Sequence, residues 1–239
     1  MNPLWTDLAS RAGLALDADR LEKLSCYLDL LFEANATMNL TRITDRAAAE
    51  VQHVGDALTL LPFLPTGAHR LADVGAGGGV PGIPLAIVRP DAQVVLIEAT
   101  QKKAAFLTRC VESLELPNVR VVPKRAEDAG ADTAGGLRES FDVVVARAVA
   151  TMDWLAEWCL PLARPGGVFL AMKGQKAADE LPQARKVIQL LGGGEATLHA
   201  VELPGTTNHV IVRVPKAGKT DKRYPRPATQ AKGRSLAIK

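Results

Sequence analysis

Five glycines (Gly75, Gly77, Gly78, Gly79 and Gly82) crowd into "LADVGAGGGVPG", and two carboxylates, Asp73 and Glu98, stand on either side of them. Glycines at a strand-to-helix turn remove side chains, so main chain and its N–H groups can approach a ligand closely. The chemistry this suits is that of a nucleotide or nucleoside-like cofactor. Gly77, Gly79 and Gly82 satisfy the G-x-G-x-x-G spacing, which alone keeps a dinucleotide in play. Asp73 narrows the choice. Two residues before Gly75, its carboxylate would oppose a pyrophosphate but would complement a cofactor carrying an ammonium and a sulfonium. This favours S-adenosylmethionine over NAD. Gly75 and Gly77 are expected to contact that cofactor and Asp73 to bond loop amides. Glu98, at the end of the next strand, is expected to accept both ribose hydroxyls.

Further along, "VVPKRAED" places Ala126 and Glu127 where a third strand would end, in position to border the adenine. "FDVVVARAVA" delivers Arg147 directly after an apolar run, where a long cation needs a partner or a site. Arg147 is read as orienting cofactor or base, and no residue is assigned to proton transfer. Lys173, closing a fifth strand in "AMKGQ", could meet an RNA phosphate. His53 is read as structural or RNA-facing, and Asn39 as a substrate contact or a local cap. Cys26, Cys110 and Cys159 form no CxxC pair and no metal-ligand spacing, so reduced, buried thiols and no metal are expected.

These residues need a scaffold that brings strand ends together. From residue 69, short β-branched runs near 70–74, 94–98, 119–122, 141–146 and 168–172 alternate with helical stretches. That alternation predicts a doubly wound, mostly parallel α/β sheet. "EATLHAVELPG" and "NHVIVRVP" follow one another without a helix, which predicts a closing antiparallel hairpin. Residues 1–66 read as a helical extension. Asp17 would cap one helix carrying Leu21, Leu24, Leu28 and Leu31, and a second would run from Asp45 through Leu61, with "NATMNLTRIT" as a non-helical link. The division expected is 1–66 helical extension, 67–214 Rossmann-like domain and 215–239 basic tail of little regular structure.

At 239 residues and 47% hydrophobic content the chain can bury a large core. Its net charge of +3 conceals an asymmetry. Residues 213–239 hold nine Lys or Arg against one acid, Asp221, so that segment carries +8 and the remainder −5. A basic arm on an acidic body suits a nucleic-acid partner, because each cation near a phosphate releases condensed counterions. Arg223 and Arg226 are its expected RNA contacts. There is no basic start with an apolar stretch and no apolar run of about 18 residues, so a cytoplasmic chain without a membrane partner is expected.

The segments "DVGAGGGVPGIPLAIVRP", "EATQKKAAFL", "ARAVA", "AMKGQ", "MNLTRIT", "HVGDAL" and "YPRP" together resemble the RsmG (GidB) family of bacterial methyltransferases. The likeness runs in order from about residue 37 to 226. It implies the class I S-adenosylmethionine-dependent fold, with a seven-stranded sheet. The activity implied is methyl transfer to N7 of a guanine in 16S rRNA of the small ribosomal subunit; a monomer is expected. By position it places cofactor contacts on Gly75, Val80, Ala126 with Glu127, and Arg147. Ala76 and Ala57 depart from hydroxyl-bearing residues common at those places in the family.

Elimination agrees with that chemistry. Methylation at a pyrimidine C5 needs a cysteine nucleophile, typically after proline, and no cysteine here follows one. Methylation of an exocyclic amine usually shows an Asn/Asp-Pro-Pro-aromatic turn, where this chain has "ARAVA". Guanine N7 needs neither device. Two alternatives remain: an NAD-dependent oxidoreductase, and a non-catalytic RNA-binding factor for ribosome assembly.

Overall fold

The computed structural model describes residues 2–147, 150–207 and 209–237. Ala148 and Val149 of "ARAVA", Asn208 at the start of "NHVIVRVP", and Lys239 of the basic segment lie outside the described residues. Helices α1 (Pro3–Arg11) and α2 (Ala18–Met38) come first, then α3 (Arg46–Ala49), a π-helical segment (Glu50–Gly55) and α4 (Asp56–Leu58). A 3-10 turn (Leu61–Phe63) leads into β1 (His69–Val74), α5 (Gly82–Val88), β2 (Ala92–Ile97), α6 (Gln101–Ser113), β3 (Val119–Val122), α7 (Ala126–Ala131) and β4 (Phe141–Arg147). After these follow α8 (Met152–Cys159), β5 (Ala163–Lys173), α9 (Ala177–Leu190), β6 (Thr197–Val201), β7 (His209–Pro215) and α10 (Ala228–Ala231).

The seven strands form one sheet in the order β3-β2-β1-β4-β5-β7-β6, parallel except where β7 pairs antiparallel with β5 and β6. This is the α/β class I methyltransferase architecture expected from the sequence, hairpin included. Because side chains alternate along a strand, each strand feeds two cores. Leu71, Leu96, Val143, Val145 and Leu170 face one cluster, with Leu24, Leu28, Leu31 and Phe106. Ala72, Val74, Val144, Ala146 and Phe169 face the other, with Leu155, Cys159 and Val187. Both faces are covered, which is why the strands read as continuous apolar runs.

Asp17 accepts the Arg20 amide as the N-cap of α2, as the sequence predicts, and Asp45, where a second helix was expected to start, accepts the Ala48 amide as the N-cap of α3. Two features of the N-terminal helices differ from expectation. α2 runs on through "NATM" and ends at Asn39, an exposed residue whose φ of 51° is the left-handed stop that Asn tolerates. The second helix is interrupted by the π-helical segment. A π turn adds one residue and re-aims everything after it. The Trp5 indole donates to the Glu50 carbonyl at 2.9 Å within that segment, so α1 supports the irregularity.

The basic tail is a correction. It packs onto the body instead of lying free. Lys216 is 1% exposed, and its ammonium donates to the Leu160 and Leu191 carbonyls at 2.8 and 2.9 Å. Those two carbonyls end α8 and α9, where a cation also meets the negative ends of the helix dipoles. Burial pulls the Lys216 ammonium down to about 8. The Arg138 guanidinium holds the chain further on, donating to the carbonyls of Thr220 and Tyr224 at 2.9 and 2.7 Å. Cys26 also differs from expectation: it is exposed on α2, whereas Cys110 and Cys159 are buried.

Candidate functional site

The sheet order reverses between β1 and β4, and open α/β sheets bind ligands at the carboxyl ends of strands beside such a switch point. A cavity of about 510 Å³ opens there. Gly75, Gly77 and Val80 line it from the loop after β1, Glu98 from the end of β2, Ala126 and Glu127 from the start of α7, and Arg147 from the end of β4. All seven residues singled out in the sequence for the cofactor thus meet at one cavity.

Its glycine wall is built by close approach. Gly75, Gly77 and Gly79 have φ of 72°, 55° and 97°, which a residue with a side chain resists. At Gly82 the constraint is space: a Cβ would lie 2.3 Å from a Leu96 methyl and 2.7 Å from Asp73 Oδ2. Asp73 Oδ2 accepts the Gly82 amide at 2.8 Å, so the loop is tied to β1, as expected. Asp73 Oδ1 is buried without a partner. Burial pushes the Asp73 carboxyl up to about 7 despite the Gly82 bond and the charge of Arg147. Glu98 accepts the Gly77 amide at 2.9 Å and the Thr100 amide at 2.7 Å, so it also braces the loop.

The opposite wall comes from the N-terminal helices, which sequence reading kept apart from the site. Tyr27 on α2 donates its hydroxyl to the Gly78 carbonyl at 2.7 Å. Burial raises its phenol well above the ordinary range, so it stays a donor. Leu31, Leu40, Thr41 and His53 line the same cavity. Lys103, Lys124 and Arg125 add a basic rim, and Trp158 an aromatic surface. "MNLTRIT" was a signal for Leu40 and Thr41; nothing local in the sequence marked Tyr27.

Arg147 stands at the centre of a polar group. Its guanidinium donates to the Gln52 carbonyl at 2.8 Å, to Asp56 Oδ2 at 3.1 Å and to His53 Nδ1 at 3.1 Å. All three partners lie in or just after the π-helical segment, which turns them toward β4. Because an arginine cannot accept, Nδ1 of His53 must, and its Nε2–H therefore points to Thr41 Oγ1 at 2.9 Å. Burial, then the Arg147 charge, lowers His53 to about 4, so the ring is neutral. His53 is 2% exposed, and what remains of its surface borders the cavity.

The residues expected to touch RNA are placed differently. Lys173 lies 2.8 Å from Glu180 and donates to the Ala150 carbonyl at 2.8 Å, so its ammonium is engaged inside the protein. Arg226 grips Glu157 through two bonds of 2.8 and 2.6 Å; Glu157 is 1% exposed, and a buried carboxylate holds an arginine strongly. Arg223 is exposed and pairs with Asp221 at 3.0 Å. Neither buried cysteine is poised for attack: burial pushes Cys110 up to about 12 and Cys159 well above its usual range.

Solved structures with this fold include a cofactor-bound protein, Rv0187, from MTB, with TM-score 0.56 and 23% identity over 82% of this chain and 91% of that one. A precorrin-6y C5,15-methyltransferase from Geobacter metallireducens superposes with TM-score 0.50 and 16% identity, covering 69% and 88%. Closer kinship appears in sequence. A ribosomal RNA small subunit methyltransferase G from Sorangium cellulosum is 45% identical over 215 residues, 89% of this chain and 87% of that protein. One from Lactobacillus johnsonii is 40% identical over 233 residues, 95% and 97% of the two chains. The family model described as "GidB: rRNA small subunit methyltransferase G" matches residues 20–211, a span holding the whole glycine loop, Glu98, Glu127 and Arg147. The chain belongs to the GidB family, the rRNA small subunit methyltransferases G.

Proposed function

We propose that this protein transfers a methyl group from S-adenosylmethionine to N7 of a guanine in 16S rRNA of the small ribosomal subunit. The observation that carries the reading is the glycine-walled cavity whose loop is braced by Asp73 and Glu98. Its residues fit a cationic nucleoside. Asp73 Oδ1 is buried without a donor, and a positive charge nearby would compensate it, whereas a pyrophosphate would add repulsion. Gly75, Gly77 and Val80 would lie along the cofactor, and Ala126 and Glu127 would border its adenine. Glu98 would take the ribose hydroxyls in exchange for one of its present amide bonds. Family membership does not favour the oxidoreductase or the non-catalytic factor.

When bound, S-adenosylmethionine supplies an electrophilic methyl carbon. The protein's part is to hold the acceptor in line with it. Guanine N7 carries an in-plane lone pair and no proton, so no side chain has to remove one. Arg147 orients the acceptor from the end of β4. His53 fixes Arg147 in place and, neutral with both ring nitrogens engaged, moves no proton itself. Proximity and exclusion of water carry the rate. The rim cations Lys103, Lys124 and Arg125, with exposed Arg223, would meet phosphates, the last three in exchange for their present carboxylate partners Asp132, Glu127 and Asp221. The setting is the cytoplasm, and the acting form a single chain.

Calorimetry tests the cofactor directly. S-adenosylmethionine and S-adenosylhomocysteine should bind the purified protein with one-to-one stoichiometry, and NAD should not. Binding of NAD alone would overturn the reading. Arg147→Ala should abolish methyl transfer; full transfer with unchanged cofactor affinity would remove Arg147 from its assigned role.

A further inference from the structure

Arg147 lines two cavities, not one. Beyond it lies a second space of about 260 Å³, bordered by Asp56, Arg147, Lys173, His209, Met172 and Ile211. Its walls combine apolar side chains from β5 and β7 with one carboxylate and one guanidinium that face each other. Asp56 is buried, and its two oxygens are engaged by Arg147 at 3.1 Å and His209 at 3.3 Å. A carboxylate has about four acceptor positions, so capacity remains. Arg147 uses three bonds on Gln52, Asp56 and His53, out of the five N–H groups a guanidinium owns. Lys173 is held by Glu180 and the Ala150 carbonyl and His209 by Asp56, while Gln52 also borders the space; the Arg147–Asp56 pair sets a charged donor beside a charged acceptor.

Along this pair the chemistry reads donor, then acceptor. Guanine shows the complement along one edge: the O6 acceptor, then the N1–H and N2–H₂ donors, with N7 beside O6 on the other side. We propose that the second cavity receives the acceptor guanine, with Arg147 donating to O6 and Asp56 accepting from N1–H and N2–H₂. This arrangement turns N7 toward the cavity on the far side of Arg147, where the cofactor is placed. Adenine would present an amino group to the guanidinium and a bare ring nitrogen to the carboxylate, so both contacts would be unfavourable. Ile43, Val201 and Val210, the partly exposed apolar residues of its lining, supply the apolar surface for the ring. The proposal rests on the methyl-transfer reading above and adds the residues that choose the base.

Small ribosomal subunits reconstituted with guanosine or inosine at the methylated position provide the test, since inosine lacks only the N2 amino group. The rate of tritiated methyl transfer from S-adenosylmethionine is measured for the wild type and for Asp56→Asn, alongside cofactor affinity. The wild type should prefer guanosine by about tenfold or more, the value of a hydrogen bond to a charged group. Asp56→Asn should bind cofactor normally, methylate guanosine slowly and lose most of that preference. A merely structural Asp56 would slow both substrates equally and leave the ratio intact, which would overturn the proposal. Should Asp56→Asn fail to fold, the wild-type ratio decides alone: equal rates on guanosine and inosine would refute the assignment. A wild type inert on guanosine would instead defeat the underlying methyl-transfer reading.

Discussion

Nδ1 of His53 lies 3.1 Å from Nη2 of Arg147, a contact that only a neutral imidazole can make. The ring is lowered from an ordinary 6.5 to about 4 by burial and by the Arg147 charge. The unfolded chain therefore binds a proton on His53 that the folded chain refuses between those values. The stability tied to the neutral ring is fully present above about pH 6.5 and is lost as pH falls toward 4. Urea titrations of the wild type and His53→Gln should show the largest difference near neutral pH, narrowing by roughly 3 kcal/mol in acid. A gap independent of pH would contradict the geometry.

Asp73 has the opposite sign. Its carboxyl is raised from 3.8 to about 7 by burial, so the folded chain holds a proton that the unfolded chain releases, and the group's contribution falls as pH rises through that window. Asp73→Asn should gain stability relative to the wild type between about pH 5 and pH 8. It should also weaken S-adenosylmethionine more than S-adenosylhomocysteine, because only the former carries a charged sulfur. Calorimetry at both pH values checks each half; equal loss of both ligands would separate Asp73 from cofactor charge.

Gly82 is fixed by space, with a methyl group destined for the side chains of Leu96 and Asp73. Gly82→Ala should cost about 1–3 kcal/mol by overpacking and loosen the amide bond to Asp73. Thermal unfolding reports the first effect, and weakened cofactor binding in the fraction that folds reports the second.

The tail gives a prediction about stability where RNA affinity was expected. Arg226→Ala would strand Glu157, which is 1% exposed, and should cost on the order of 3 kcal/mol. Glu157→Gln in the same chain should recover part of the loss. If Arg226→Ala instead left stability intact and weakened binding to ribosomal subunits, Arg226 would be a phosphate contact after all.

Strand positions, the closing hairpin and the Asp17 cap were legible because they follow from local periodicity and local hydrogen bonding. So were the cavity residues from Gly75 to Arg147, since a parallel sheet must bring its carboxyl ends to one edge. Three things were not. The π-helical segment has no local signature; it depends on Trp5 reaching the Glu50 carbonyl across 45 positions. Tyr27 reads as one more core residue until its hydroxyl is seen on Gly78. Charge on the tail suggested a free arm because composition does not reveal that Glu157, Leu160 and Leu191 supply buried partners.

The most direct test is mass spectrometry of nucleosides from small ribosomal subunits incubated with the protein and S-adenosylmethionine. The account predicts 7-methylguanosine rising to one equivalent per 16S rRNA, with none from Arg147→Ala. Methyl groups found on another base or another atom of guanine, or none at all from a folded protein that binds the cofactor, would contradict it.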